Sequence, residues 1–204
     1  MTPHIKQKKL GRNFYARDLI TVAKELLGKL LVKNDEGQIL SGKIVEVEAY
    51  DGSVDEAAHT FRGKTKRNEI MFGIGGFFYV YFTYGAHFCC NVVTGKIGKG
   101  TAVLIRGLEP VSGIDKMIKN RFNKNLVNEK EKYNLTNGPG KICQAMAINK
   151  IHYGLDLTGN KIYLLDAPDI KEDKIAVSKR IGIKKSVDLP WRFYIKGNPY
   201  VSKR

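Results

Sequence analysis

The stretch FFYVYFTYGAHFCCNVV, residues 77–93, is the part of the chain from which the fold class can be worked out. Aromatic and β-branched side chains fill it almost from end to end, and a single glycine, Gly85, interrupts it. The pattern predicts a strand over 77–84, a tight turn at Gly85 and a returning strand over 88–93. A period of two puts Tyr79 and Tyr81 on one face of the first arm, and Tyr84 beside the turn glycine projects from the hairpin tip. Cys89 and Cys90, being neighbours, point to opposite faces of the second arm, which suits packing rather than joint chemistry.

Working outward, the same alternation predicts strands over 30–33 and 40–50, joined by the turn Asn34-Asp35-Glu36-Gly37, and another over 101–108. Before them, Leu19, Val22, Ala23, Leu26 and Leu27 follow i, i+3, i+4, i+7, i+8 in a helix expected over 16–27, with Gly28 as its stop. A second helix is expected after Pro110, with Ser112 as N-cap and Asp115 three residues on. Residues 119–134 are charged and aperiodic, a surface loop or an irregular helix extension. Beyond Asn137-Gly138-Pro139-Gly140 a third helix is expected over 141–148, with short strands around 161–165 and 191–196. Hairpin-like neighbours with helices set apart describe an α+β domain rather than an alternating βαβ one. No repeat or linker divides the chain, so 1–204 reads as a single domain, with 1–13 as a flexible tail.

Thirty-five Lys and Arg against 20 Asp and Glu give a net charge of +15. That excess fits either a solubilising surface or the electrostatic footprint of a polyanion partner. Three cysteines, Cys89, Cys90 and Cys143, form no CxxC spacing and have no His or Asp cluster beside them, which speaks against a disulfide scaffold and a structural zinc. The first ten residues carry no apolar signal core, and no run approaches 18 apolar residues. The expectation is a cytoplasmic protein that does not engage a membrane.

Chemistry-bearing residues gather between 43 and 106. In Lys43–Tyr50 the period of two puts Glu46, Glu48 and Tyr50 on one face, with Val45 and Val47 on the other. This is either a solvated face paired with lysines or a reactive edge; in the second case Glu48, with Tyr50 on its own side, is the carboxylate to choose. Arg62, Lys64, Lys66 and Arg67 follow His59 closely, as a flexible charged loop or one laid along phosphates. His59 alone fits a hydrogen-bonded structural residue as well as a functional one. Tyr84 on a tip in so basic a chain suits a wedge or stacking platform for nucleic-acid bases. Arg106 closes an apolar strand, as a rim residue or as a buried cation aimed into the same cleft.

These residues carry a resemblance. Residues 42–50 (GKIVEVEAY), 55–59 (DEAAH), Arg67-Asn68 with Met71-Phe72, Tyr79-Val80-Tyr81 with Tyr84-Gly85, Asn91 and 104–110 (LIRGLEP) resemble the alkyladenine (3-methyladenine) DNA glycosylase family. So do 138–145 (GPGKICQA) and, near the end, Arg192-Phe193-Tyr194, Gly197-Asn198-Pro199 and Val201-Ser202. The resemblance implies a monofunctional base-excision enzyme that flips a damaged purine from duplex DNA and hydrolyses its bond to deoxyribose. Within it, Glu48 matches the water-activating glutamate and Arg106 the arginine that holds that water and carboxylate. Tyr50, His59 and Tyr81 match the walls of the base pocket, and Asn91 the asparagine that excludes normal guanine. Tyr84 matches the inserted tyrosine, and Arg62, Lys64, Lys66, Arg67, Met71 and Lys141 are matched more loosely to contacts with the DNA backbone. Ala86 and His87 stand where the family has a larger residue and a tyrosine. No lysine occupies a nucleophile's place in the matched motifs, so no strand cleavage, metal or cofactor is expected, and the protein is expected to be a monomer. The expected architecture is α+β: one domain with a curved, mostly antiparallel β-sheet and a protruding β-hairpin, surrounded by helices. A non-catalytic nucleic-acid-binding module and an enzyme acting on a small anionic nucleotide are the alternatives from other classes.

Overall fold

The computed structural model describes residues 8–35, 37–83 and 85–202. Two helices come first, α1 (Arg12–Tyr15) and α2 (Leu19–Leu26). Five strands follow: β1 (Leu30–Asp35), β2 (Gln38–Asp51), β3 (Phe78–Thr83), β4 (His87–Thr94) and β5 (Thr101–Ser112). Next come α3 (Ile114–Phe122), α4 (Glu129–Asn134) and α5 (Pro139–Ala145), then β6 (Ile162–Leu165), β7 (Ile175–Ser178) and β8 (Arg192–Ile195). The strands form one curled antiparallel sheet in the order β3-β4-β5-β2-β1-β6, with β8 pairing both β2 and β7. This is the α+β domain expected from the hairpin-rich sequence.

Strand alternation divides the sheet into two chemistries. Phe78 and Val80 of β3, Cys90 and Val92 of β4 and Val103 and Ile105 of β5 pack into the main core with Val22 and Leu26 of α2 and Ile142 of α5. Their neighbours Tyr79, Tyr81, Cys89, Asn91, Leu104 and Arg106 therefore face the other side. In β2 the alternation changes phase. Leu40 and Ile44 belong to the main core, and so do Val47 and Ala49, because a bulge interrupts the pairing with β5 around Glu46. A one-residue slip exchanges the two faces of a strand, and here it turns Glu46, Glu48 and Tyr50 to the side that carries Tyr81 and Arg106.

Several expectations are corrected. Strand β5 does not end at Leu108 but runs through Pro110, which pairs with Gly42 beside a register shift, to Ser112. Ser112 is thus a strand residue, and the N-cap of α3 is Gly113 at φ +71°. A Cβ at residue 113 would lie 2.4 Å from Leu40 Cδ2, so the corner takes glycine. Residues 119–134, expected as a surface loop or irregular helix extension, contain α4, which starts in a reciprocal capping box between Asn128 and Glu131. The first long helix starts at Leu19 rather than Ala16, because Asp18 caps it by accepting from Thr21 N at 2.9 Å. Strand β7 was not foreseen. Of the expected flexible tail, residues 8–13 are fastened: Lys9 bridges Leu165, its Nζ donates to Gly159 O at 2.6 Å, and Leu10 is buried. Residues 1–7 lie outside the described residues.

Candidate active site

A cavity of about 430 Å³ opens on the side of the sheet away from the main core. Tyr50 of β2, Tyr79 and Tyr81 of β3, Asn91 of β4, Arg106 of β5 and His59 from the loop after β2 all line it. Tyr79 and Tyr81 stack at 5.3 Å between ring centroids, and His59 meets Tyr81 edge-on at 4.5 Å. His59 Nδ1 lies 2.8 Å from Tyr79 Oη. Burial, with the Arg67 charge added to it, pushes the His59 pKa down to about 4, so the imidazole is neutral at pH 7. Asn91 is buried, its Nδ2 donating to Tyr79 O at 3.1 Å. Burial also pushes the Cys89 thiol up to about 11, so this wall presents a thiol rather than a thiolate.

Glu48 is fully buried behind this wall, and its three hydrogen-bond donors among the described residues all line the cavity. Tyr50 Oη donates to its Oε2 at 2.8 Å and Arg106 Nη1 to the same oxygen at 3.3 Å, while Ile181 N–H donates to Oε1 at 2.7 Å. Burial and the adjacent Glu48 charge raise the Tyr50 pKa, keeping the phenol a donor. Desolvation of a carboxylate is costly unless its lone pairs are satisfied, and three aimed donors supply that compensation.

The loop that brings Ile181 is fixed by a buried clamp. Arg180 Nη2 donates to Asp55 Oδ1 at 2.8 Å and Nη1 to Ala49 O at 3.0 Å, and the guanidinium stacks over the Tyr50 ring at 4.6 Å. Asp55 Oδ1 also accepts from Ala57 N at 3.0 Å, which orders the turn leading to His59.

A second cavity, of about 360 Å³, shares Thr83, Cys89 and Pro139 with the first. Arg121 and Lys141 line it on neutral acceptors: Lys141 Nζ donates to Asn137 Oδ1 at 2.8 Å and to Asn134 Oδ1, and Arg121 donates to Gln144 Oε1 and to Asn134 O. Among the described residues no three His, Cys, Asp or Glu side chains converge as a metal site, and no helix is long and apolar enough to cross a membrane.

Residues 13–199 match the family model described as methylpurine-DNA glycosylase. The chain belongs to the methylpurine-DNA glycosylase family. A DNA glycosylase is a hydrolase acting on N-glycosidic bonds in DNA repair, and DNA is the substrate of this family. Among similar proteins is one from Carboxydothermus hydrogenoformans, 53% identical over 196 residues that cover 96% of this chain and 99% of that protein. Others come from Desulfitobacterium hafniense (49% identical; 96% of this chain, 98% of that protein) and Alkaliphilus oremlandii (48%; 96% and 100%). Each of the three is named "Putative 3-methyladenine DNA glycosylase".

Within this glycosylase fold Glu48, Tyr50, His59, Tyr81, Asn91 and Arg106 come together around one cavity. Arg62, Lys64, Lys66 and Arg67 are all exposed on one loop, with the Arg67 guanidinium over the Tyr81 ring at 5.4 Å. Met71 also lines this cavity, buried against Tyr79, Val93 and Ala102, with its N–H bonded to Asn68 O at 2.9 Å. Tyr84 lies outside the described residues. Pattern reading missed Arg121, Arg180 and Ile181. Asp55 and Arg180 are 125 residues apart, and no periodicity links them.

Proposed function

We propose that this protein is a monofunctional DNA glycosylase that flips alkylated purines, 3-methyladenine and 7-methylguanine first, out of duplex DNA and hydrolyses their N-glycosidic bond. The observation that carries this reading is Glu48, a buried carboxylate whose three donors all line an aromatic cavity. Purines alkylated at N3 or N7 are cationic. Tyr50 and Tyr81 bind such a base through their ring faces, each good contact being worth about 0.5–2 kcal/mol. Neutral His59 adds no repelling charge, and Asn91 polices the exocyclic group of normal guanine. Hypoxanthine and ethenoadenine, being neutral, leave less readily and form a secondary substrate class.

In the reaction, Glu48 accepts a proton from water while the water oxygen bonds to C1′. The electron pair of the glycosidic bond departs with the base, which leaves neutral, and an abasic site remains. Glu48 also stabilises the cationic sugar in passing, and Arg106 holds the water and carboxylate in line. Flipping costs a few kcal/mol, which Tyr84 inserted into the vacated stack offsets in part. Arg62, Lys64, Lys66, Arg67 and Lys141 hold phosphates, with Arg121 beside Lys141. One subunit suffices for this, and no metal or cofactor enters. The names of the relatives point to the same lesion.

The test is base release from duplex DNA treated with dimethyl sulfate, without added metal. Wild-type protein releases 3-methyladenine and 7-methylguanine and leaves the strand unbroken. Glu48→Gln lowers release by roughly 10²- to 10⁴-fold while still binding a duplex with an abasic analogue; Tyr84→Ala weakens that binding. Undiminished release by Glu48→Gln overturns the assignment of the base. Lys184 and Lys185 also line the cavity, so borohydride trapping of a protein–DNA adduct would overturn the absence of lyase chemistry.

A further inference from the structure

Glu46 precedes Glu48 by two residues on the same face of β2, is equally buried, and has no part in the hydrolysis above. Its partners hold it closely. Oε1 accepts from Arg192 Nε at 2.7 Å and from Ser202 Oγ at 2.9 Å, and Oε2 accepts from Ser202 N–H at 2.6 Å. Arg106, by contrast, is held at longer range on three sides: Nε to Glu46 Oε1 at 3.4 Å, Nη1 to Glu48 Oε2 at 3.3 Å, and Nη2 to Ser202 Oγ at 3.4 Å. A guanidinium is a rigid planar fork, so three partners on three different nitrogens fix its orientation.

The C-terminal segment reaches this point because residue 107 has no side chain. A Cβ on Gly107 would stand 2.8 Å from Tyr200 O and 3.1 Å from Glu46 Cβ. Tyr200 and Val201 are buried as the segment passes, which delivers the Ser202 N–H to Glu46.

We propose that Glu46, clamped by Arg192 and Ser202, is the positioning residue that orients Arg106 toward Glu48, and that segment 197–202 is thereby part of the catalytic frame. This rests on the reading of Glu48 and Arg106 as the hydrolytic pair. Two carboxylates and two guanidiniums share the pocket behind the cavity. With Glu46 neutralised, Glu48 is the remaining carboxylate for Arg106, and the guanidinium closes onto the oxygen that the attacking water needs. Loss of Glu46 charge therefore slows chemistry through Arg106 rather than through DNA binding.

The experiment is single-turnover release of 7-methylguanine from dimethyl-sulfate-treated duplex at saturating enzyme, alongside affinity for a duplex with a tetrahydrofuran abasic analogue. Glu46→Gln slows release on the order of 10- to 100-fold, the scale of a misplaced catalytic group, with affinity unchanged. Ser202→Ala, at the end of the chain, slows release in the same sense and carries the test by itself if Glu46→Gln does not fold. In an Arg106→Gln background, Glu46→Gln slows release no further. Losses that multiply between Glu46→Gln and Arg106→Gln, as an unrelated structural effect would produce, overturn the proposal. So do Glu46→Gln and Ser202→Ala variants as fast as wild type. Wild-type protein that releases no base overturns the reading of the site itself, a separate outcome.

Discussion

His59 meets the stacked rings of Tyr79 and Tyr81 edge-on with its Nδ1 on Tyr79 Oη, and its charge state decides how the cavity would treat a cationic guest. Its pKa falls from 6.5 in the free residue to about 4, burial being the larger cause. The unfolded chain therefore binds more protons than the folded one between those values. Stability on this account is complete above about pH 6.5 and is lost as the pH falls toward 4. His152, also depressed chiefly by burial, adds to the same slope, so a comparison is needed to isolate His59. Thermal midpoints from pH 7.5 down to 4.5 should decline less steeply for His59→Gln than for wild type; equal slopes would mean that folding leaves the His59 pKa at its ordinary value. Read by itself in the sequence, His59 is no more functional than structural, and the resemblance alone assigns it to a base pocket. What decides its state is burial in the folded chain, a property of packing that the chain order of these residues does not express.

At the scale of elements, period-two patterning was enough to place β2, β3, β4 and β5 and to put Tyr79 with Tyr81. It did not foresee why Glu48 comes to lie beside them. Leu40 and Ile44 are core residues in phase with Glu46 and Glu48, so continuous alternation along β2 would send both carboxylates into the main core; the bulge around Glu46 reverses the faces. Strand β7 and the loop bearing Ile181 were illegible for a different reason: they are held by long-range partners. The loop's anchor is Arg180 on Asp55, both side chains fully buried. Removing one charge of such a pair leaves the other uncompensated in a dry site, at a cost of roughly 3–5 kcal/mol. Asp55→Asn should therefore lower the unfolding free energy by about that amount in denaturant titration. It should also slow base release, because the Ile181 N–H and the Tyr50 ring are both placed by Arg180. A loss below about 1 kcal/mol, typical of an exposed ion pair, would mean that the loop holds its place without the clamp.

Over the whole molecule, the net charge of +15 has a location as well as a size. The core-facing side of the sheet is covered by α2 and α5, and of the exposed cations of the loop from Arg62 to Arg67, Arg67 lies on the cavity side, over the Tyr81 ring. Arg67 is the best held of these, over the Tyr81 ring and donating to Phe82 O at 3.3 Å, so its charge stands at the cavity mouth without a fresh ordering cost on binding. A cation that meets a phosphate releases a counterion, and each such contact contributes about 0.9 to the slope of log affinity against log salt concentration. Arg67→Ala should reduce that slope by about 1. Lys24 on α2, paired with Glu172 at 3.0 Å on the covered side, removes the same charge when changed to Ala and should leave the slope alone. Equal slope losses from the two variants would mean that the surplus charge acts as a diffuse field around the protein. An effect confined to Arg67 would mean that it acts by contact, with phosphates gripped at the mouth of the cavity where the base is read.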